Sequence, residues 1–157
     1  MKDIMRTICK TDSNDGVALT RIVIGVVFMM HGSQKLFGLF GGGGIEGTAG
    51  YMESLGMEPS YWMALLAGSG EFFGGLLLLL GLFARLGAFA TACVSVVALF
   101  SVHINNGFFM SNNGFEYVLV LLITSIGILL AGAGNYSLDR KLFCQNMEKI
   151  DLKKCCK

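Results

Sequence analysis

Three polar side chains interrupt an otherwise apolar stretch near the start of the chain: His31, Gln34 and Lys35. Their spacing of i, i+3 and i+4 places them on one face of a helix. An imidazole can transfer protons near neutral pH, and an ammonium group can bind an anion or a carbonyl oxygen. Such groups are costly in lipid and usually face a bundle interior or a wet cavity. This face is therefore the first candidate for a functional site.

A single carboxylate, Glu71, stands in a second apolar stretch. Its helical neighbours on one side are glycine and alanine, which allow another helix to approach closely. At about 1.5 Å of rise per residue, Lys35 lies about 21 Å along a helix from Arg21, and Glu71 lies about as far from Arg85. The equal depths predict an ion pair between Lys35 and Glu71.

Further polar residues are expected at the same end of the protein, where helices meet loops. The complete predicted cluster comprises His31, Gln34, Lys35, Glu71, His103, Asn106 and Glu116. One interpretation is a pocket in which Lys35 binds a quinone or a small anion and Glu71 balances its charge or relays a proton. The alternative is that these groups satisfy one another and fix helix register. For His103, Asn106 and Glu116, helix capping and loop anchoring are favoured.

The composition indicates an integral membrane protein. Of 157 residues, 54% are hydrophobic and 15% are charged, whereas soluble domains carry about 25% charged residues. The charged residues gather near the two ends and leave long apolar runs between them. The net charge of +1 gives no basic field for a nucleic-acid partner, so the expected surroundings are the lipid bilayer.

The apolar runs predict an all-α membrane protein built as an up-and-down bundle of four transmembrane helices. The expected helices span residues 17–40, 61–83, 86–103 and 116–133, within a domain covering 17–136. Lysine and arginine occur before the first helix, at the turn containing Arg85 and after the last helix, but not in the other two loops. The positive-inside rule then places both termini in the cytoplasm. Residues 1–16 form one cytoplasmic segment, and 137–157 form another that is basic and weakly suggests an interfacial helix.

Glycines shape two connections. The run from Gly41 to Gly44 is expected to prevent a regular element and to allow a tight or re-entrant excursion in the loop over residues 41–60. No lysine–serine signature follows it, which argues against a phosphate loop. After the last span, glycines are expected to stop the helix, with Ser137 capping a new helix and Asp139 in its first turn.

The cysteines give no metal or redox motif. They are Cys9, Cys93, Cys144, Cys155 and Cys156. No C-x-x-C pair occurs, and no cysteine lies near a histidine at zinc-like spacing, so no metal site is expected. Free thiols are favoured over lipid attachment at the last two. No haem, flavin or iron–sulfur pattern is evident, so any electron transfer would need a partner subunit or a bound quinone to carry the electrons.

Several short motifs occur in a fixed order. They are R-x-x-x-G and HGSQKLFG within residues 21–38, IEGTAGYMESLG at 45–56, E-x-x-G-G from Glu71, NNGFE at 112–116 and G-x-G-x-x-SLD at 132–139. Together with Arg85 and His103, this ordered set resembles the DoxX family of small four-helix membrane proteins over about residues 17–139. The family's usual Gly-Pro at the exit motif is Gly132-Ala133 here, which predicts a softer turn.

The resemblance implies a multi-pass protein of the plasma (inner) membrane. Some members serve in thiosulfate-to-quinone electron transfer or in membrane complexes linked to redox stress. The first hypothesis is a redox-associated subunit with a polar pocket for quinone or a small sulfur anion, belonging to a quinone-linked oxidoreductase. The rivals are a small-solute or ion-handling protein and a non-catalytic scaffold. A membrane or soluble redox partner and a homo-oligomer both stay open.

Overall fold

The computed structural model describes residues 14–144, without the side chains of Phe143 and Cys144. Within this range the regular elements are all helical. The principal helices are α1 (Asp15–Phe37), α2 (Gly44–Ser54), α3 (Ser60–Leu80), α4 (Ala84–Ala98) and α5 (Glu116–Ala131). The predictions for residues 1–13, for the C-terminal tail from residue 145 and for its two terminal cysteines lie outside the described residues.

Three helical stretches in residues 14–144 are long and apolar enough to cross a membrane. They are Asp15–Phe37, Ser60–Leu80 and Ala84–Asn106. The last of these is α4 extended by a π-helical turn over Leu99–His103 and a 3-10 turn over Ile104–Asn106. The helix α5 is also apolar but shorter.

The ends of α1 follow ordinary capping chemistry. The side chain of Asn14 accepts hydrogen bonds from the backbone N–H groups of Gly16 and Val17, at 2.8 and 3.3 Å, which satisfies donors that a helix start leaves free. At the other end, Gly38 adopts the left-handed conformation with φ 68° and donates its N–H to the carbonyl of Gln34. The helix therefore ends one turn after the predicted polar face.

The loop after α1 is more ordered than the glycine run suggested. The prediction that this run holds no regular element is wrong at its end, because Gly44 begins the 11-residue helix α2. The hydroxyl of Thr48 donates to the carbonyl oxygens of Gly44 and Lys35, at 2.8 and 3.2 Å, and Met52 is buried. Packing against α1 and α3 thus outweighs the low helix propensity of glycine.

Close glycine contacts bring α1 and α3 together as antiparallel neighbours. A Cβ atom on Gly25 would lie 2.9 Å from the carbonyl oxygen of Gly75, and one on Gly32 would lie 2.4 Å from the nitrogen of Phe72. Residue numbers rise along α1 as they fall along α3. Contacts of Gly74 with Gly87 and of Gly70 with Val94 show that α4 is antiparallel to α3. Hydrogen bonds from Arg85 to Leu129 and from Thr91 to Ser125 show that α5 is antiparallel to α4.

Replacing Gly75 with alanine is expected to destabilise the protein by about 1–3 kcal/mol, the range typical of overpacking. The new Cβ would lie 2.5 Å from the nitrogen of Met29 and 2.7 Å from the oxygen of Gly25, and backbone atoms cannot move aside cheaply. Thermal unfolding in detergent measures the effect. Gly127→Ala is the matched control, because a Cβ there meets nothing within 4 Å. Equal loss of stability in both variants would contradict the packing account.

Candidate functional site

The ion pair predicted between α1 and α3 is confirmed. The Nζ atom of Lys35 lies 2.5 Å from Oε2 of Glu71, with side-chain exposures of 29% and 9%, respectively. A charged donor and acceptor at this distance form a strong hydrogen bond. The Glu71 side chain is buried, whereas the Lys35 side chain is partly exposed.

The helix packing explains why these two side chains meet. Gly68 lies one turn before Glu71, and a Cβ there would be 2.8 Å from the side chain of Leu36. The absence of that atom lets α1 lie close enough for the short carboxylate to reach Lys35. Gly68, Gly74 and Gly75 are all buried, so the predicted small-residue stripe is on the packing face.

His31 lies one turn before Lys35 on the same face of α1 and is half-buried. Its Nδ1 atom is 2.9 Å from the carbonyl oxygen of Val27. Its ring centroid is 6.3 Å from that of Tyr117 on α5, at an interplanar angle of 35°. His31 therefore contacts Tyr117 on α5 from the same face of α1 that carries Lys35.

Tyr117 was not among the predicted residues. It follows Glu116 in the first turn of α5 and packs against the hydrophobic core. The sequence signal was an aromatic residue with a polar tip at a helix start, which is also typical of membrane-interface belts. Its proximity to His31 depends on the packing of α5 against α1, which local spacing does not reveal.

The side chain of Gln34 forms its hydrogen bond with the loop after α1 and not with the ion pair. Its side-chain Nε2 atom donates to the carbonyl oxygen of Phe40 at 3.2 Å. Phe40 has a φ of 52°, a conformation uncommon for residues other than glycine. The hydrogen bond helps to hold the turn that leads to α2.

The remaining predicted residues anchor the loop between α4 and α5. His103 bonds through Nδ1 to the carbonyl oxygen of Asn113 at 2.8 Å, and Asn106 donates to the same oxygen at 3.3 Å. The carboxylate of Glu116 accepts from the N–H of Met110 at 2.7 Å. Within residues 14–144, none of these hydrogen bonds connects to Lys35 or Glu71. These contacts agree with the interpretation that His103, Asn106 and Glu116 anchor the loop.

A second polar cluster, at the opposite end of the bundle, was missed. In the sequence, Arg21 served only as the position from which the depth of Lys35 is counted, but its side chain is completely buried. Its guanidinium group donates to backbone carbonyl groups at the end of α3 and after α5. The acceptors are Leu78, Leu79 at 3.0 Å, Ala133 at 2.8 Å and Tyr136 at 3.1 Å. Arg21 therefore joins three segments of the chain.

Asp139 completes this second cluster. Its two carboxylate oxygens accept from the N–H groups of Phe83 and Ala84, at 2.7 and 3.0 Å. It thereby caps α4, in addition to its predicted place after Ser137, whose hydroxyl accepts from the N–H of Arg140. Burial raises the pKa of the Asp139 carboxyl above its ordinary value, while the Ala84 and Phe83 N–H groups and the Arg21 guanidinium act in the opposite direction.

Asp139→Ala is expected to lower the free energy of unfolding by about 1–3 kcal/mol, because two N–H groups at the start of α4 lose their acceptor. Chemical denaturation in detergent measures the change. Glu53→Ala, which removes an exposed carboxylate from α2, is the control and is expected to have little effect. A similar small effect at both positions would show that water replaces the Asp139 cap without cost.

Comparison with known proteins identifies the family of this chain. The family model described as DoxX matches residues 16–104. This chain belongs to the DoxX family. The matched residues include Lys35, Glu71 and the glycines beside them, whereas Tyr117 lies outside the match. The chain is accordingly a membrane protein.

Curated relatives of this DoxX protein match along most of their length. "Putative oxidoreductase CatD" of Bacillus subtilis is 34% identical over 128 residues, covering 82% of this chain and 87% of that protein. "Inner membrane protein YqjF" of Escherichia coli is 34% identical over 129 residues, covering 81% and 92%. A Haemophilus influenzae protein named without a function is 34% identical over 134 residues, covering 81% and 90%. No solved structure matches the chain.

Proposed function

We propose that this DoxX protein is a redox-associated membrane subunit that binds a quinone or a small sulfur anion beside the Lys35–Glu71 pair. The observation that carries the proposal is the partly exposed side chain of Lys35, whose ammonium group lies 2.5 Å from the buried carboxylate of Glu71 inside an apolar bundle. Intramembrane ionisable groups are expensive and commonly mark functional sites. Of the three N–H donors of lysine, one serves Glu71, and the others can reach an oxygen of a ligand.

The described side chains suit binding and proton handling more than electron storage. Within residues 14–144, no group of three or more His, Cys, Asp or Glu residues could hold a metal ion. Electrons would therefore pass through a bound quinone or a partner subunit, as in a quinone-linked oxidoreductase. The Bacillus subtilis relative carries the name "Putative oxidoreductase CatD", which supports this reaction class.

The proposed orientation has four membrane spans and both termini in the cytoplasm. Positively charged residues before α1, at the α3–α4 turn and after α5 support it. The helix α5 has 16 residues, or about 24 Å, which is shorter than a hydrocarbon core of about 30 Å. The exposed apolar side chains of Phe108, Phe109 and Met110 in the preceding loop would extend its hydrophobic length.

The first test is binding of a short-chain quinone and of thiosulfate to protein purified in lipid nanodiscs. At least one ligand is expected to bind, and His31→Ala and Lys35→Met are expected to weaken it at least about tenfold, or 1.4 kcal/mol. His103→Ala is the matched control, because that histidine anchors a loop. In membranes that also contain a redox partner subunit, we expect quinone reduction that depends on thiosulfate. The rate of this reduction is expected to fall in His31→Ala and Lys35→Met and to be unchanged in His103→Ala.

Other outcomes would favour the rival functions. Flux of a solute or ion through liposomes without an electron donor, abolished in Lys35→Met, would favour an ion-handling protein. Normal behaviour of all pocket variants, combined with loss of function on removal of residues 145–157, would favour a scaffold. Either result would overturn the proposed redox role.

A further inference from the structure

A groove lies between the start of α1 and the second half of α5, at the opposite end of α1 from the Lys35–Glu71 pair. Its volume is about 420 Å³. A cavity of about 150 Å³ holds one benzene molecule, so the groove has room for about two or three apolar side chains. The residues of the two helices that line it are Gly16, Val17, Thr20, Thr124, Gly127 and Ile128.

The walls of the groove suit an apolar occupant better than an anion. The hydroxyl of Thr20 donates its single hydrogen to the carbonyl oxygen of Gly16 at 2.8 Å. The hydroxyl of Thr124 likewise donates to the carbonyl oxygen of Val120 at 2.7 Å. A Cβ atom on Gly127 would meet nothing within 4 Å, so the α5 wall is open. A lipid phosphate would therefore find no hydroxyl donor on these walls, whereas an apolar side chain needs none.

Residues 1–13 lead into this groove, because Asn14, the next residue, also lines it. Asn14 has a φ of −137° and a ψ of 120°. This extended conformation takes the preceding chain away from the axis of α1. Cys9 is five residues before Asn14, and five residues span at most about 17 Å. Chain connectivity alone therefore keeps Cys9 close to the groove.

The same segment carries an amphipathic pattern. Its apolar residues recur at i, i+3, i+4, i+7 and i+8, which places them on one face of a helix. They are Met1, Ile4, Met5, Ile8 and Cys9. The basic residues Lys2, Arg6 and Lys10 lie outside this stripe, as in helices that lie in the bilayer interface.

We propose that residues 1–9 form an amphipathic helix in the bilayer interface and that its apolar face occupies the groove between α1 and α5. Residues 10–13, which are polar, make the turn into Asn14. The apolar face of such a helix lies about 5–10 Å deep, and the groove extends about 9 Å along α1, from Asn14 to Thr20. The depths therefore match. This docking is independent of any ligand beside the Lys35–Glu71 pair.

Disulfide trapping on the full chain in lipid nanodiscs tests the proposal. Cys9 supplies one thiol, and Gly127→Cys supplies the other at a position with open space. Serine replaces the remaining four cysteines. A disulfide requires Cα atoms within about 7 Å of each other. Docking raises the effective concentration of the two thiols, so an intramolecular disulfide is expected to form at least about tenfold faster than in the control.

Phe89→Cys is the matched control. Phe89 is exposed on α4 and lies two residues before Thr91. Thr91 bonds to Ser125, which lies two residues before Gly127 on the antiparallel helix α5. Phe89 is therefore at about the same depth as Gly127 but outside the groove.

Two further changes test whether the apolar stripe holds the segment in place. Ile8→Glu puts a carboxylate into the stripe, and burying that charge in the groove is costly. It is therefore expected to slow trapping at Gly127→Cys at least about tenfold. Thr7→Glu adds the same charge outside the stripe and is expected to leave the rate unchanged.

Each other outcome would overturn the proposal. Equal rates for Gly127→Cys and Phe89→Cys would show that the segment has no fixed place. The absence of a disulfide in both would show that lipid fills the groove, and a disulfide-linked dimer as the main product would assign the groove to a second copy of the chain. Trapping that survives Ile8→Glu would show that the apolar stripe does not hold the segment.

Discussion

Replacing Arg21 with methionine is expected to lower the free energy of unfolding by about 3–5 kcal/mol, the largest effect among the changes considered. Methionine keeps an apolar stem of similar reach but removes every donor. Buried carbonyl groups at the end of α3 and after α5 would then lose their partners, and Asp139 would lose the nearby positive charge. Losing one member of a buried charged network is strongly destabilising.

Unfolding of purified protein in detergent, followed by circular dichroism against denaturant, measures this effect. Lys141→Met is the control, since it removes a positive charge that is exposed. Arg21→Lys tests whether the planar guanidinium group is needed, because lysine keeps the charge but lacks the planar set of donors. We expect it to lower the free energy of unfolding by less than Arg21→Met and by more than the control. A loss in Arg21→Met no greater than in the control would show that the buried guanidinium does not hold these segments together.

The second large effect is expected for Glu71→Gln, at about 3 kcal/mol. The change keeps the shape of the side chain but leaves the Lys35 ammonium without its counter-ion. This value is the lower end of the range for breaking a buried pair, because Lys35 is 29% exposed and water can partly solvate it. The additional change Lys35→Met is expected to restore most of the lost stability, since no unpaired charge then remains.

A double-mutant cycle measures the coupling between the two positions directly. The four proteins are wild type, Glu71→Gln, Lys35→Met and the double variant, all unfolded under one detergent condition. Coupling of about 2 kcal/mol or more is expected. Additive effects would contradict an energetically important pair, even though the two side chains are in contact.

The sequence predicts the Lys35–Glu71 pair because the relevant information is local. Rise per residue places both groups at equal depth, and glycines spaced along α3 mark the face that packs. The helix α2 was missed because its glycines have poor intrinsic propensity, whereas its stability depends on burying Met52 against other helices. Tertiary packing commonly overrides propensity in this way.

The cluster at the other end of the bundle was missed for a different physical reason. Arg21 binds backbone carbonyl groups, and a carbonyl has no residue-type signature. One of its partners, Ala133, is 112 positions away along the chain. Asp139 similarly binds the backbone of Phe83 and Ala84, so no complementary side chain marks its target. Such contacts become visible only when the helix ends are placed together.

The most direct test of the central claim is the affinity of the double variant Lys35→Met/Glu71→Gln for the short-chain quinone and for thiosulfate. This variant removes both charges and is expected to stay folded, so the experiment separates binding from stability. The account predicts stability within about 1 kcal/mol of wild type and a loss of ligand affinity of at least about tenfold. A folded double variant that binds every ligand as tightly as wild type would show that the charged pair only holds helices together.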